Sequence, residues 1–191
     1  MEKKYSENGR IWKTKLLIEL MNEGRRLLKE FYTRDVLEVA PDLPGKILVI
    51  KLAGGSFGRF RITEVEAYRG SEDKACHASK GRTSRTEIMF HEGGRLYIYF
   101  IYGMHWMLNI VTAGNNIPQA VLIRGIEGYY GPGKLTKSLG IDKSFYGEDL
   151  VLSERIWVED SGLLQSVKNG PRIGIDYAGE YWKSKPWRYF L

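Results

Sequence analysis

Apolar and polar positions along the chain follow two different periods. From Ile11 to Tyr32 the residues Ile11, Trp12, Leu16, Leu17, Leu20, Met21, Leu27, Leu28 and Phe31 recur mostly at helical spacings, which predicts one or two helices broken near Gly24. After "PDLPG" the pattern turns to alternation, and Lys46–Leu52 and Phe57–Tyr68 read as strands of a hairpin turned by Gly54, Gly55 and Ser56. "GRTSRTEIMFHEGG" (Gly81 to Gly94) is polar and reads as a loop. "RLYIYFIYGMHWMLNIVTAG" holds two β-rich runs interrupted only by Gly103, and "QAVLIRGIEG" is a further strand ending in glycines. "GPGKLTKSLGI" opens a short helix at Lys134, while "SERIWVED" and "RIGIDYAGEYWKSKPWRYFL" read as short strands and turns. The strands come in neighbouring pairs instead of alternating with long helices. This predicts an α+β fold, a single domain over residues 1–191 with an antiparallel sheet and flanking helices.

Within that pattern, Ile62, Glu64, Glu66 and Tyr68 fall on one face of a strand, so two carboxylates sit beside an isoleucine and a tyrosine. Either that face is solvated or one carboxylate is there for chemistry. The run "LYIYFIYGMHW" poses a second choice. It is either a core hairpin with aromatic cross-strand pairs or an exposed tip, where Tyr102 beside Gly103 would be an aromatic wedge able to enter a stacked duplex.

Composition narrows the choices. Lys and Arg outnumber Asp and Glu by 29 to 23, giving a net charge of +6, which favours a polyanionic partner. "KGRTSR" gathers Lys80, Arg82 and Arg85 in a loop, and Lys134 lies at a helix start, where cations and free backbone amides can hold phosphates. "GPGKL" lacks the spacing of a P-loop. The single cysteine, Cys76, excludes a disulfide framework and a cysteine-rich zinc site. Around His77 no second histidine stands at a ligand-like spacing, so Glu72 and Asp73 read as an exposed acidic turn and neither metal nor cofactor is expected. No run of about eighteen apolar residues would span a membrane. "MEKKYSENGR" lacks the apolar core of an export signal, so a cytoplasmic protein is expected.

The blocks "EVEAYRGSEDKACHASKGRTSR", "MFHEGGRLYIYFIYGMHWMLNIV", "AVLIRGIE", "GPGKL" and "RIGIDYAGE" occur in the order seen in the alkyladenine (3-methyladenine) DNA glycosylase family. The chain resembles that family from about Thr33 to its C-terminus, leaving the helical segment 1–32 outside. The resemblance implies a curved sheet with a protruding hairpin that enters the DNA minor groove. It implies Glu66 as the group that activates the hydrolytic water, Arg124 as an aid in holding that water, and Ile173 as the position whose backbone carbonyl shares that task. Tyr68 and Tyr99 become stacking walls for an extruded base, and His77 a contact to that base. Asn109 crowds the exocyclic amine of guanine, Tyr102 with Met104 fills the vacated stack, and Arg82, Arg85 and Lys134 touch phosphates.

The implied activity is monofunctional: alkylated or deaminated purines are flipped from double-stranded DNA and the N-glycosidic bond is hydrolysed, leaving an abasic site. A monomer in a bacterium, associated with the nucleoid through DNA, is the expected setting. Two rivals stand beside this reading: a damaged-DNA binder without catalysis, and a metal-dependent nuclease using Glu64, Glu66 and Asp73. The chain departs from the family in the short link Gly125–Tyr130, in Ser84 where proline is frequent, and in His105 where animal members have tyrosine.

Overall fold

The computed structural model describes residues 24–163 and 165–191. Much of the N-terminal helical segment expected from the sequence lies outside them. Within them Arg25–Arg26 form a short strand, β1, and only Lys29–Tyr32 coil as α1. A second helix, α2 (Val36–Asp42), was not expected from the pattern. Asp35 caps it by accepting the Leu37 N–H at 2.9 Å, and Val36, Val39 and Ala40 are buried beneath it.

The remaining strands are β2 (Ile47–Lys51), β3 (Phe57–Arg69), β4 (Leu96–Ile101), β5 (His105–Thr112), β6 (Gln119–Ile126), β7 (Tyr129–Tyr130), β8 (Ile156–Asp160), β9 (Lys168–Gly170) and β10 (Arg188–Phe190). They pair antiparallel in the order β1-β8-β2-β3-β6-β5-β4, as the paired sequence pattern implied. Helix α3 (Pro132–Leu139) starts with proline at its first turn and packs on β5 and β6. The C-terminal region is less strand-rich than expected, with a 3₁₀ turn at Asp176–Ala178 and a helical turn, α4, at Glu180–Lys183.

Strand β3 is the axis of the molecule. Its first half pairs with β2, and its second half lies between β6 and, at Glu64–Glu66, β10. Alternation sorts the sheet into two faces. Val65, Ala67, Leu96, Ile98, Leu108, Ile110, Val121 and Ile123 enter the main core. Glu66, Tyr68, Tyr97, Tyr99, Asn109, Ala120 and Arg124 occupy the alternate positions. Register then aligns Arg188, Glu66, Leu122, Asn109 and Tyr97 in one transverse row across β10, β3, β6, β5 and β4.

One face assignment differs from the sequence pattern. Ile62 is fully buried in the same core as Val65 and Ala67, because the β3–β6 register shifts at Ile62/Glu64 and again at Glu64/Val65. Such irregularities re-aim side chains without ending a strand. Gly125 is required beside them, since a Cβ there would stand 2.9 Å from the Thr63 hydroxyl and 3.3 Å from the Glu64 Cβ.

Candidate active site

The irregular β3–β6 pairing brings two carboxylates and two guanidinium groups together. Arg124 donates from Nε to Glu64 Oε1 at 3.0 Å and from Nη1 to Glu66 Oε2 at 3.4 Å. Arg188 on β10 donates to Glu64 Oε1 at 3.2 Å and to the Pro171 carbonyl at 2.9 Å. Glu66 itself is fully buried. Its Oε2 accepts the Tyr68 hydroxyl at 2.9 Å and its Oε1 accepts the Ile173 backbone N–H at 2.7 Å. Burial pushes the Glu66 carboxyl above its ordinary value, a shift opposed by Arg124, the Ile173 amide and Tyr68 and reinforced by the negative charge of Glu64. A carboxylate made ready by burial to take up a proton, while Arg124, the Ile173 amide and Tyr68 partly offset that burial, suits a general base.

Beyond Tyr68 lies a narrow aromatic cleft lined by Tyr68, His77, Tyr97, Tyr99, Asn109 and Tyr177, with Cys76 and Met89 at its side. Four residues expected to meet the base, Tyr68, His77, Tyr99 and Asn109, are therefore brought together. His77 Nδ1 lies 2.8 Å from the Tyr97 hydroxyl. Burial and the neighbouring cations Arg85 and Lys80 push its pKa down to about 4, which keeps the imidazole neutral at physiological pH. Burial likewise raises the hydroxyls of Tyr68 and Tyr99, so both walls present neutral rings. The Asn109 amide donates to the Tyr97 and Met107 carbonyls at 3.0 and 3.4 Å. With both hydrogens directed at the hairpin backbone, its Oδ1 is the atom left for the cleft.

The hairpin of β4 and β5 ends at Tyr102, Gly103 and Met104. Tyr102 and Gly103 both have positive φ, 55° and 66°, and the Met104 N–H closes the turn on the Ile101 carbonyl at 3.2 Å. Tyr102 is 81% and Met104 66% exposed. An aromatic residue in left-handed backbone at an exposed tip is strained and has little to pack against, a combination that marks functional sites.

The expected phosphate contacts divide. Arg85 and Lys134 are exposed, and neither has a carboxylate partner among the described residues. Arg85 also lies over the Tyr99 ring at 5.0 Å. Arg82 is instead engaged by Glu87 through two hydrogen bonds, at 2.6 and 2.8 Å, and by Asn116 at 3.3 Å.

The sequence profile of methylpurine-DNA glycosylases matches residues 30–130 and 127–191. The chain belongs to that family. The two matched stretches meet at the short link between β6 and α3. Among its relatives, a protein of Methanocella arvoryzae is 44% identical over 184 residues, covering 86% of this chain and 91% of its own. Others from Psychrobacter cryohalolentis and Desulfitobacterium hafniense are each 43% identical, covering 82% and 87% of this chain and 86% and 95% of their own. All three carry the provisional name of 3-methyladenine DNA glycosylase. Membership makes the chain a DNA glycosylase, a hydrolase acting on N-glycosyl bonds.

Several parts of this glycosylase's site were not expected from its sequence. Tyr177 lines the cleft mouth and donates to the Ala75 carbonyl at 3.1 Å, yet it sits in a segment read only as turns. Arg188 joins the cluster through β3–β10 pairing, which no local pattern announces, and meets there the Glu64 already read on one face with Glu66. Asp73, read as part of an exposed acidic turn, is fully buried against Arg172, while Glu72 is exposed as expected. Ile173 reaches Glu66 through its backbone N–H, and its side chain is half exposed.

Proposed function

We propose that the protein removes alkylated or deaminated purines from double-stranded DNA by flipping the base into the aromatic cleft and hydrolysing its glycosidic bond, with Glu66 as general base. The observation that carries this reading is the Tyr68 hydroxyl 2.9 Å from the Glu66 carboxylate, which ties a cleft wall to a buried base. A nucleotide inside a duplex is out of reach of any catalytic group, so extrusion at a cost of about a few kcal/mol precedes chemistry. Tyr102 and Met104 fill the gap, Tyr68 and Tyr99 stack on the extruded ring, and Arg85 and Lys134 hold flanking phosphates. Among the described residues Glu66 Oε1 accepts only the Ile173 amide, leaving roughly one lone-pair position for a water. That water attacks the sugar carbon as the base departs, its proton passes to Glu66, and the positive charge developing on the sugar is stabilised by the carboxylate. Arg124 and the Ile173 carbonyl complete the water's surroundings. One chain carries every group the reaction uses, so the enzyme acts as a monomer on DNA.

The test is release of free base from duplexes each holding one methylated adenine, methylated guanine, hypoxanthine or etheno-adenine, in the presence of a chelator. Release with the strand intact until alkali treatment supports the reading. Binding without release would leave a damaged-DNA binder, and strand cleavage dependent on divalent metal would leave a nuclease.

Selectivity gives a further expectation. Asn109 stands in the same transverse row as Glu66 and is tied down by two carbonyls, so it cannot move aside for the exocyclic amine of guanine. Its free Oδ1 could accept from that amine, so exclusion rests on crowding and not on a missing partner. Asn109→Ser makes room and is expected to raise release of undamaged guanine roughly tenfold, in line with the ~1–3 kcal/mol that pocket shape contributes to discrimination. Quantifying free guanine from unmodified duplex checks this. Background release together with a lowered melting temperature would show that Asn109 only ties the hairpin.

A further inference from the structure

Behind Tyr68, on the side away from the cleft, lies an ion pair that neither the base nor DNA can touch. The side chains of Asp73 and Arg172 are both fully buried. Arg172 donates to Asp73 Oδ2 and Oδ1 at 2.6 and 2.9 Å, to the Ala67 carbonyl at 2.9 Å and to the Trp182 carbonyl at 3.4 Å. Its guanidinium is sandwiched between the Tyr68 ring at 4.8 Å and the Trp187 ring at 5.0 Å. Asp73 also accepts the backbone N–H of Arg69 at 3.1 Å and of Ala75 at 3.0 Å. A buried pair of this kind is a poor source of stability, since well-packed apolar residues often serve as well or better. Here Arg172 Nε even lacks a hydrogen-bond partner among the described residues.

What the pair joins is more telling. Arg172 precedes Ile173, whose amide holds Glu66 Oε1. Ala67 stands between Glu66 and Tyr68, and Ala75 begins the turn that carries Cys76 and His77 into the cleft. We propose that Asp73 and Arg172 are positioning residues that lock the Tyr68 wall, the His77 turn and the Ile173 amide in one geometry around Glu66. This rests on the reading of Glu66 as the general base. Only a planar fork can serve all four acceptors with its carbon over both rings, and an ammonium cannot.

Arg172→Lys keeps the charge beside Asp73 while losing the fork, and is expected to fold. Single-turnover base release should fall by about 10²-fold, as a small misplacement near reacting atoms does, with affinity for lesion duplex within about threefold of wild type. Loss of the Ile173 amide from Glu66 should also move the acid limb of the rate profile to higher pH. The same displacement should show directly as a raised Glu66 titration in carboxyl-carbon NMR, without any substrate. The double variant Arg172→Gln, Asp73→Asn removes both charges together and should fold yet remain slow. Wild-type rate, pH profile and titration in Arg172→Lys would overturn the proposal, as would a rate loss that only tracks the folded fraction. If wild type releases no base, the reading of the reaction fails, and the NMR titration still decides whether the pair sets the environment of Glu66.

Discussion

Glu66→Gln is expected to lower release of an alkylated base from duplex DNA by about 10²–10⁴-fold while damaged-duplex binding stays intact. The amide preserves shape and an acceptor for the Ile173 N–H, but it cannot take a proton from water. Stability supplies an independent sign. Burial raises the folded-state pKa of Glu66, so at neutral pH the ionised carboxylate is held at a cost. Its contribution is most favourable below the unfolded value of about 4.3 and is lost as pH rises through the folded value. The variant should therefore melt at the same temperature as wild type or higher at pH 7, and the difference should vanish near pH 4. Rate in the wild type should follow the opposite course, with an acid limb above the ordinary carboxylate range. Excision by Glu66→Gln at near wild-type rate, with no change in the pH dependence of melting, would remove Glu66 from the mechanism.

Tyr102→Ala is expected to reduce base release from duplex substrate about 10- to 100-fold, because one stacking interaction contributes ~1–3 kcal/mol and nothing else would occupy the vacated position. On single-stranded substrate, where no gap needs filling, the variant should approach wild type. The melting temperature should hardly move, since the tip is exposed and contributes no core contact. Equal losses on both substrates would assign Tyr102 to some role other than the wedge, and a large drop in melting temperature would return it to the core of the hairpin.

Period-2 alternation made part of the candidate site legible, and the family resemblance implied the rest of the expected residues. Glu66 and Tyr68 share a face two residues apart on one strand, and Gly103 marks the tip that leaves Tyr102 outside. These are local signals, carried by the backbone period and one turn residue. Asp73 was not legible, because an acidic residue in a turn is ordinarily solvated. Its partner Arg172 lies 99 positions along the chain, and only the docked C-terminal segment buries the two together. The pairing of Arg82 was not legible for a related reason: a basic loop looks free until the chain curls back and sets Glu87 beside it. Ile62 shows the limit of the strand period, since the shifts in register around Glu64 send it to the opposite face. Helix α2 was hidden by Pro41 and Pro44, since proline ordinarily interrupts a helix, although here Pro41 sits in the last turn.

The transverse row through Glu66, Leu122 and Asn109 makes the enzyme's tolerance to changes in length uneven. One residue inserted within β5 or β6 would turn Asn109 or Arg124 from the cleft toward the core and abolish the site at a stroke. The connections at 113–118 and 127–128 lie outside that ladder, and doubling such a loop costs only about 0.6 kcal/mol of closure entropy. Loop length can therefore reshape how much DNA the protein grips while the register across the cleft stays unaltered. Reach and chemistry are separable variables in this architecture, and the short span between β6 and α3 is one setting of the first.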